Sequence, residues 1–292
     1  MTGLAGPPAW SGPSEDPNDE QFGDLVARVE DVRAEASDYD AVLVGEPFDC
    51  GVIGRKGAAQ GPHAIRESLA AVKTHHARGR VGRVGDAGDV SLSVGDDEHP
   101  GAVRDLQRRV RVVAGTLHET DTLPVFLGGD NSLTFANCVP LLEYGTVGVV
   151  NLDAHLDVRD VRDDATSGTP YRQLFEAGLD AYACIGARHF ETSTRYHDYV
   201  RDRGGEVVTS EVVGEGVDAA AERALAAMGT VDRVYLSLDL DVLDATAAPG
   251  VSAPTPGGIT TRECFSLVYR LAREARERLA GFEVVECAPP LD

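Results

Sequence analysis

The sequence predicts an α/β fold in which a mostly parallel sheet is covered by helices on both faces. Five apolar runs have the length of a strand, and stretches with helical periodicity lie between them. The runs show little alternation of polar and apolar residues, which is typical of parallel strands buried on both faces. No repeat and no internal linker interrupts this order. We therefore expect a single domain over residues 21–292, preceded by an acidic, Pro-rich arm over residues 1–20.

The predicted strands and helices alternate along the chain. Strands are expected at residues 41–45, 124–127, 147–152, 182–185 and 234–238. Helices are expected at residues 62–73, 103–117, 131–142, 218–228 and 261–279. A further helix is expected close behind the arm, where one helical stripe would contain Phe22, Leu25, Val26, Val29 and Val32.

The charge of the chain restricts its partners and its compartment. The net charge is −21, and Lys56 and Lys73 are the only lysines among 27 basic residues. Such a composition is typical of proteins that stay soluble at high salt, where repulsion between like charges is screened; an ordinary acidic protein is the alternative. Nucleic acid is not expected as a partner, because binding it needs a basic face. No apolar run approaches the roughly 20 residues of a membrane span, so we expect a cytoplasmic protein without a membrane partner.

Residue types that bind metals follow three of the predicted strands. They are Asp153, His155 and Asp157 after residues 147–152, Asp239 and Asp241 after residues 234–238, and the Gly-Gly-Asp-Asn turn at residues 128–131. Parallel strands bring their carboxyl ends to one crevice, and alternate residues share a face, so we expect these side chains to converge. The carboxylates would repel one another unless cations lay between them. Carboxylates with one imidazole suit Mn²⁺ better than Zn²⁺. The alternative is that the acidic residues cap the helices that follow.

Several motifs occur in an order that resembles the signature of the ureohydrolase superfamily, which includes arginase, agmatinase and formimidoylglutamase. Besides the three strand-end segments, they are G-R-K-G-A and G-P-H-A-I-R within residues 54–66, D-A-G-D-V at 86–90, I-G-A-R at 185–188, A-P-G-V-S at 248–252 and E-V-V-E at 283–286. The resemblance covers most of the chain, and its ordered combination of motifs is specific. It implies a three-layer α/β/α sandwich with a mainly parallel eight-stranded sheet, and an oligomer of identical subunits.

The resemblance also implies roles for single residues. Asp153 and Asp239 would bridge two Mn²⁺ ions, Asp157 would complete the shell of the first ion, and His155 and Asp241 would complete that of the second. Glu286 falls where family members hold the guanidinium or amidine group. The paired ions would activate a water molecule for attack on the amidine carbon, with Asp157 transferring the proton.

One position departs from the family pattern. The family's histidine for the first metal is Asn131 in this chain. An amide oxygen can bind a hard cation, but it is a weaker donor than imidazole towards Mn²⁺. We therefore expect a weaker first metal site, and the alternative is that Asn131 only caps the next helix. Relatives also usually continue into a final helix beyond the position of Asp292.

The loop after the first metal motif bears on the substrate. Arginase and agmatinase relatives carry a histidine there, whereas residues 167–173 of this chain read S-G-T-P-Y-R-Q. This form resembles formimidoylglutamase, which converts N-formimidoyl-L-glutamate to glutamate and formamide. Because that substrate is a dicarboxylate, Arg172, Arg55 and Arg188 are candidates to bind it, together with Thr169. Two alternatives stay open: a guanidine hydrolase such as agmatinase, which releases urea, and a metal-poor relative that only binds or regulates.

Overall fold

A nine-stranded sheet forms the centre of the molecule. The computed structural model of the protein describes residues 3–16, 18–76, 79–91, 99 and 101–292. The strands are β1 (Ala27–Arg28), β2 (Ala41–Gly45), β3 (His75–His76), β4 (Gly79–Arg80), β5 (Val84–Asp89), β6 (Leu123–Leu127), β7 (Val147–Leu152), β8 (Ala181–Ala187), β9 (Glu206–Thr209), β10 (Arg233–Asp239) and β11 (Leu279–Val285). The central sheet has the order β1-β5-β2-β6-β11-β10-β7-β8-β9, and all its neighbouring strands are parallel. Strands β3 and β4 form a separate antiparallel pair.

Helices cover both faces of this sheet. They are α1 (Val32–Glu35), α2 (Gly61–Ala70), α3 (Ala102–His118), α4 (Thr134–Cys138), α5 (Pro170–Ala177), α6 (Thr194–Arg201), α7 (Ser210–Glu215), α8 (Val217–Met228) and α9 (Thr261–Ala275). Alternate residues of β7 point to opposite faces: Val147 and Val149 pack in one hydrophobic cluster, and Val150 and Leu152 in another. Helices α3 and α5 contribute to the first cluster, and α8 and α9 to the second. The three-layer sandwich predicted from the sequence is therefore confirmed.

The sheet has one more strand than the eight that the resemblance implies. One of the nine, β1, is an edge strand of two residues that pairs with β5. It lies where the apolar spacing predicted a helix, and that prediction is wrong. Phe22 and Val26 pack in a small cluster with Trp10, whereas Val29 and Val32 join the main core. The apolar stripe is thus divided between two clusters instead of forming one helix face.

Two other predicted helices are shorter than expected. The helix predicted over residues 131–142 is divided into a 3₁₀ turn (Asn131–Leu133), α4 and a second 3₁₀ turn (Val139–Glu143). Pro140 in the last turn has no N–H to continue an α-helix. The helix predicted over residues 261–279 ends at Ala275, because Arg276 takes a left-handed conformation with φ of 49°. This reversal lets the chain enter β11, which lies between β6 and β10.

The described part of the N-terminal arm packs along β5. Leu4 forms a bridge with Val90, and the N–H of Ala5 donates to the carbonyl of Asp89 at 2.7 Å. A Cβ atom on Gly88, whose φ is +88°, would lie 2.0 Å from the carbonyl oxygen of Ala5, so only glycine allows this approach. The boundary between arm and domain at residue 20 stays a prediction. Within the described ranges, no helix is long and apolar enough to cross a membrane.

Candidate metal centre

The predicted metal ligands meet at the middle of the sheet. Strands β6, β11, β10 and β7 are neighbours in this order, and all four are parallel. Their carboxyl ends therefore lie together, which is where α/β sheets bind ligands. The segments that follow them carry Asn131 after β6, Glu286 after β11, Asp239 and Asp241 at the end of β10, and Asp153, His155 and Asp157 after β7.

Five of these side chains form two groups that share Asp153. Ligand atoms of Asp153, His155 and Asp241 lie within 4.8 Å of one another, and so do those of Asp153, Asp157 and Asp239. His155 Nδ1 is 3.0 Å from Asp241 Oδ2 and 3.4 Å from Asp153 Oδ1. The two groups correspond to the second and the first metal of the resemblance. Asp239, expected in both shells, belongs to the first group only.

The charges of the two groups are not balanced within the chain. Burial, and next the charge of Asp153, raise the pKa of Asp157 well above its usual value. Burial and then the charge of Asp241 do the same to the pKa of Asp239. Burial lowers the pKa of His155, but the carboxylates of Asp241 and Asp153 outweigh it and raise this pKa to about 12. Several carboxylates around one imidazole call for divalent cations, and this donor set suits a pair of Mn²⁺ ions.

Asn131 lies beside the first group and is only 1% exposed. Its Nδ2 donates to Asp157 Oδ2 at 2.5 Å and to the carbonyl of Ser167 at 3.3 Å. Its Oδ1 is 2.7 Å from Thr134 Oγ1. The side chain thus occupies the edge of the first group, with its amide nitrogen towards Asp157.

Two of the site residues have a strained backbone. Asp157 and Glu286 have φ of 44° and 63°, in the left-handed region that non-glycine residues rarely adopt. Such a conformation costs on the order of 1–3 kcal/mol and persists where the surroundings enforce it, often at functional sites. At Glu286 the backbone N–H donates to the carbonyl of Gly129 at 2.8 Å. A Cβ on Gly129 would lie 1.7 Å from the carbonyl oxygen of Phe48, so glycine is required where these loops meet.

The two groups face a cleft of about 150 Å³. His155, Asp157, Asp239, Asp241 and Glu286 line it, and residues without a predicted role complete the lining, among them Ile53, Arg159, Ser167 and Ser252. Arg159 is exposed, and its side chain makes no hydrogen bond or ion pair with any residue that the structure describes. Its position two residues after Asp157, next to a motif already recognised, is the signal that could have identified it. Arg159 brings a cation to the wall of an otherwise acidic cleft.

Two predicted substrate-binding arginines lie outside the lining of this cleft. The guanidinium of Arg55 donates to the carbonyls of Pro249 and Val251 at 3.0 and 2.8 Å. Arg172 forms an ion pair with Asp160. Both side chains are engaged with other parts of the chain.

The other two predicted substrate-binding residues also lie outside the lining and are buried. Arg188 is 0% exposed, and its Nη2 donates to the carbonyls of Asp241 and Leu243 at 2.9 and 2.8 Å. Thr169 is 2% exposed, and its hydroxyl donates to the carbonyl of Thr166 at 2.8 Å. Arg188 thus stabilises the backbone of the turn at Asp241 and does not line the cleft.

Comparisons with known proteins agree with this geometry. A model of the arginase family matches residues 39–292. The chain is 57% identical to the formimidoylglutamase of Halobacterium salinarum, over 97% of this chain and 91% of that protein. The crystal structure of Bacillus subtilis formimidoylglutamase is similar with a TM-score of 0.84 and 28% identity, over 96% of this chain and 87% of that one. The crystal structure of Trypanosoma cruzi formiminoglutamase with Mn²⁺ is similar with a TM-score of 0.76 and 27% identity, over 88% of each chain. The chain therefore belongs to the arginase family.

Proposed function

We propose that this protein is a binuclear manganese hydrolase that cleaves N-formimidoyl-L-glutamate to L-glutamate and formamide. The observation that carries the proposal is that two groups of metal-ligating side chains share Asp153 and face one cleft. Support for the substrate comes from the Halobacterium salinarum relative, which is a formimidoylglutamase. The free guanidinium of Arg159 on the cleft wall is a further support, because the substrate carries two carboxylates.

The two groups would hold one cation each, with Asp153 in both shells. The cations supply the Lewis acidity that activates water as the nucleophile. Asp157 lies on the cleft wall, half-buried, and burial raises the pKa of its carboxyl group. Its carboxylate takes the proton of the attacking water and passes it to the leaving amine.

Glu286 would hold the formimidoyl group. Its Oε1 accepts the backbone N–H of Asn131 at 2.9 Å, whereas its buried Oε2 makes no hydrogen bond with the described residues. Burial and then the charge of Asp130 raise the pKa of Glu286 to about 8. A buried acceptor without a partner favours a ligand that supplies a donor. The N–H groups of an amidinium do so, and their positive charge stabilises the ionised carboxylate.

Arg159 would bind a carboxylate of the substrate. A guanidinium offers paired N–H donors that match a carboxylate, and here it is not engaged by other described residues. The cleft joins Arg159 to Glu286 and to the metal groups. A substrate with an amidinium at one end and a carboxylate at the other fits this distribution of charge.

The proposal is tested by product analysis in molar salt with added Mn²⁺. We expect formamide from N-formimidoyl-L-glutamate, dependent on Mn²⁺, and no urea from agmatine. Urea from agmatine would instead identify a guanidine hydrolase. A protein that binds no Mn²⁺ and releases neither product would be a binding or regulatory relative.

The role of Arg159 is tested by Arg159→Gln. Loss of a charge-assisted hydrogen bond, worth about 1.5–3 kcal/mol, should raise KM for formimidoylglutamate by roughly 10- to 100-fold. The control is Arg172→Gln, which removes an arginine paired with Asp160 outside the cleft lining. A rise in KM for the control, with none for Arg159→Gln, would show that Arg172 and not Arg159 binds the substrate carboxylate.

We also propose that the protein works in the cytoplasm of a salt-rich cell as an oligomer of identical subunits. The net charge of −21 with only Lys56 and Lys73 as lysines supports the salt-rich setting, as does the Halobacterium salinarum relative. The family resemblance supports the oligomer. Sedimentation analysis in molar salt would measure its size, and a monomer would exclude it.

A further inference from the structure

Behind Asn131 lies a buried chain of hydrogen bonds that the catalytic scheme does not use. Thr134 Oγ1 is 2.7 Å from Asn131 Oδ1 and 2.6 Å from Glu283 Oε1. Asn131, Thr134 and Glu283 are each 1% exposed or less. We call these three residues the relay. It links a residue at the edge of the first metal group to a carboxylate inside β11.

The inner end of the relay is held firmly. Besides Thr134, three donors bond the carboxylate of Glu283: the hydroxyl of Ser237 at 2.7 Å, the amide of Asn137 at 3.0 Å and the hydroxyl of Tyr235 at 2.8 Å. Both carboxylate oxygens thus accept two hydrogen bonds each. A carboxylate with this many donors acts as an acceptor only. The Thr134 hydroxyl is therefore the donor in its contact with Glu283.

The number of protons decides which atom of Asn131 faces Thr134. The Thr134 hydroxyl has one proton but faces two oxygens, one on Asn131 and one on Glu283. Because hydrogen bonds to a carboxylate are about twice as strong as neutral ones, the proton goes to Glu283. The hydroxyl oxygen then offers a lone pair to Asn131, and the amide NH₂ is the group that can donate to it.

We propose that Glu283 and Thr134 together turn the amide of Asn131 so that its oxygen faces the first metal group. In the orientation described above, Asn131 Nδ2 lies 2.5 Å from Asp157 Oδ2. Rotating the amide by half a turn exchanges its two atoms. Nδ2 then faces Thr134 as a donor, and Oδ1 faces Asp157 Oδ2. Two oxygens this close, with the Ser167 carbonyl beside them, form a favourable contact only around a shared cation. Thr134 is thus a positioning residue for Asn131 as a metal ligand.

The inference rests on the proposed function and extends it to the metal affinity of one site. Groups behind metal ligands typically change metal affinity by about 10- to 100-fold when they are removed. The variant Thr134→Val keeps the shape of the side chain but removes the hydroxyl. We expect it to weaken the first Mn²⁺ position by about this factor and to leave the second position unchanged, because His155 and Asp241 do not contact the relay.

The experiment is Mn²⁺ binding to the whole chain in molar salt, measured by titration calorimetry and by metal analysis after equilibrium dialysis. Thr134→Ser, which keeps the hydroxyl, should restore binding. Ser237→Ala is the matched control, because it removes another buried donor to Glu283 without touching Asn131. In an Asn131→Ala background, Thr134→Val should have no further effect on Mn²⁺ binding, because the residue that it positions is absent.

The outcomes separate the two proposals. Selective weakening of one Mn²⁺ position by Thr134→Val, with rescue by serine, supports the relay. Wild-type affinity in Thr134→Val, equal weakening in Ser237→Ala, or an undiminished effect without Asn131 overturns the relay while the hydrolase stands. If Thr134→Val does not fold, Thr134→Ala replaces it, with the same expected result. A wild-type chain that binds no Mn²⁺ overturns both the relay and the proposed function.

Discussion

Two acidic clusters near the edge of the sheet where the strands have their carboxyl ends differ in the cation that they contact. In β5, Asp86 and Asp89 face the guanidinium of Arg66, whose Nε and Nη2 lie 2.8 and 3.0 Å from Asp86 and whose Nη1 lies 2.5 Å from Asp89. We call these three residues the paired cluster. Around β7 and β10, four aspartates meet one imidazole, that of His155, and no arginine or lysine within the described residues forms an ion pair with them. The chain balances its own charge in the first cluster and leaves it unbalanced in the second.

The difference separates structure from binding. A buried guanidinium that satisfies two carboxylates fixes the position of α2 against β5, and it needs nothing from outside the chain. Asp157 and Asp239 have no such partner, so burial and neighbouring carboxylates raise their pKa values, and they call for a cation from solution. The balance of charge within a cluster therefore predicts which residues hold the fold and which residues bind a ligand.

The largest effect is expected from Asp153→Asn, which breaks both metal groups. Asp153 is the residue that the two groups share. Removing its charge should release Mn²⁺ and reduce kcat by about a thousand-fold or more, because paired cations supply several kcal/mol of catalysis. Metal analysis and formamide release measure both losses. The control is Asp121→Asn, at an exposed position just before β6, at the amino ends of the strands. Near-wild-type activity in Asp153→Asn would refute the metal scheme.

The second effect is expected from Arg66→Met, which should break the paired cluster alone. It leaves the carboxylate of Asp86, 0% exposed, without its guanidinium. Breaking a buried ion pair in this way costs about 3–5 kcal/mol of unfolding free energy. Denaturant titration in molar salt measures this loss, and the Mn²⁺ content of the folded variant should stay at two per chain. Loss of metal with unchanged stability would reverse the assignment of the two clusters.

The smallest effect is expected from Trp10→Phe, which sharpens the role of the arm. Trp10 Nε1 donates to Asp86 Oδ2 at 2.8 Å, so the arm adds a donor to the paired cluster. A hydrogen bond to a charged group contributes about 1.5–3 kcal/mol. The free energy of unfolding should fall by this amount while kcat and Mn²⁺ content stay unchanged. An unchanged free energy would show that the arm rests on the sheet without stabilising it.

Much of the sheet could be predicted from the sequence because its central strands are continuous apolar runs. All five predicted strands are present in the structure. The strands that were missed have other patterns: β5 reads V-G-D-A-G-D, and β9 has four residues. Strand β11 alternates buried and half-buried residues and begins at Leu279, where the helix predicted over residues 261–279 ends, so no separate strand was predicted there.

The site was predicted as far as its residues belong to strand-end motifs. The metal groups depend on alternation along two short segments, which the sequence displays directly. Arg159 was missed because an exposed arginine resembles the other surface arginines until the cleft is known. The contact between Thr134 and Glu283 spans 149 residues and exists only because β6 and β11 are neighbours. Periodicity along one segment contains no information about such pairs.

The left-handed backbone at Asp157 and Glu286 has a consequence for laboratory evolution. Glycine or asparagine adopts that conformation at lower cost than aspartate or glutamate. A library selected only for heat resistance should therefore enrich Gly or Asn at these two positions, and the enriched clones should lose turnover. Arg276 shares this conformation but lies outside the site, so clones with Gly or Asn there should keep their turnover. Loss of turnover in clones changed at Asp157 or Glu286, with turnover kept in clones changed at Arg276, would map the boundary between what the fold prefers and what the reaction demands.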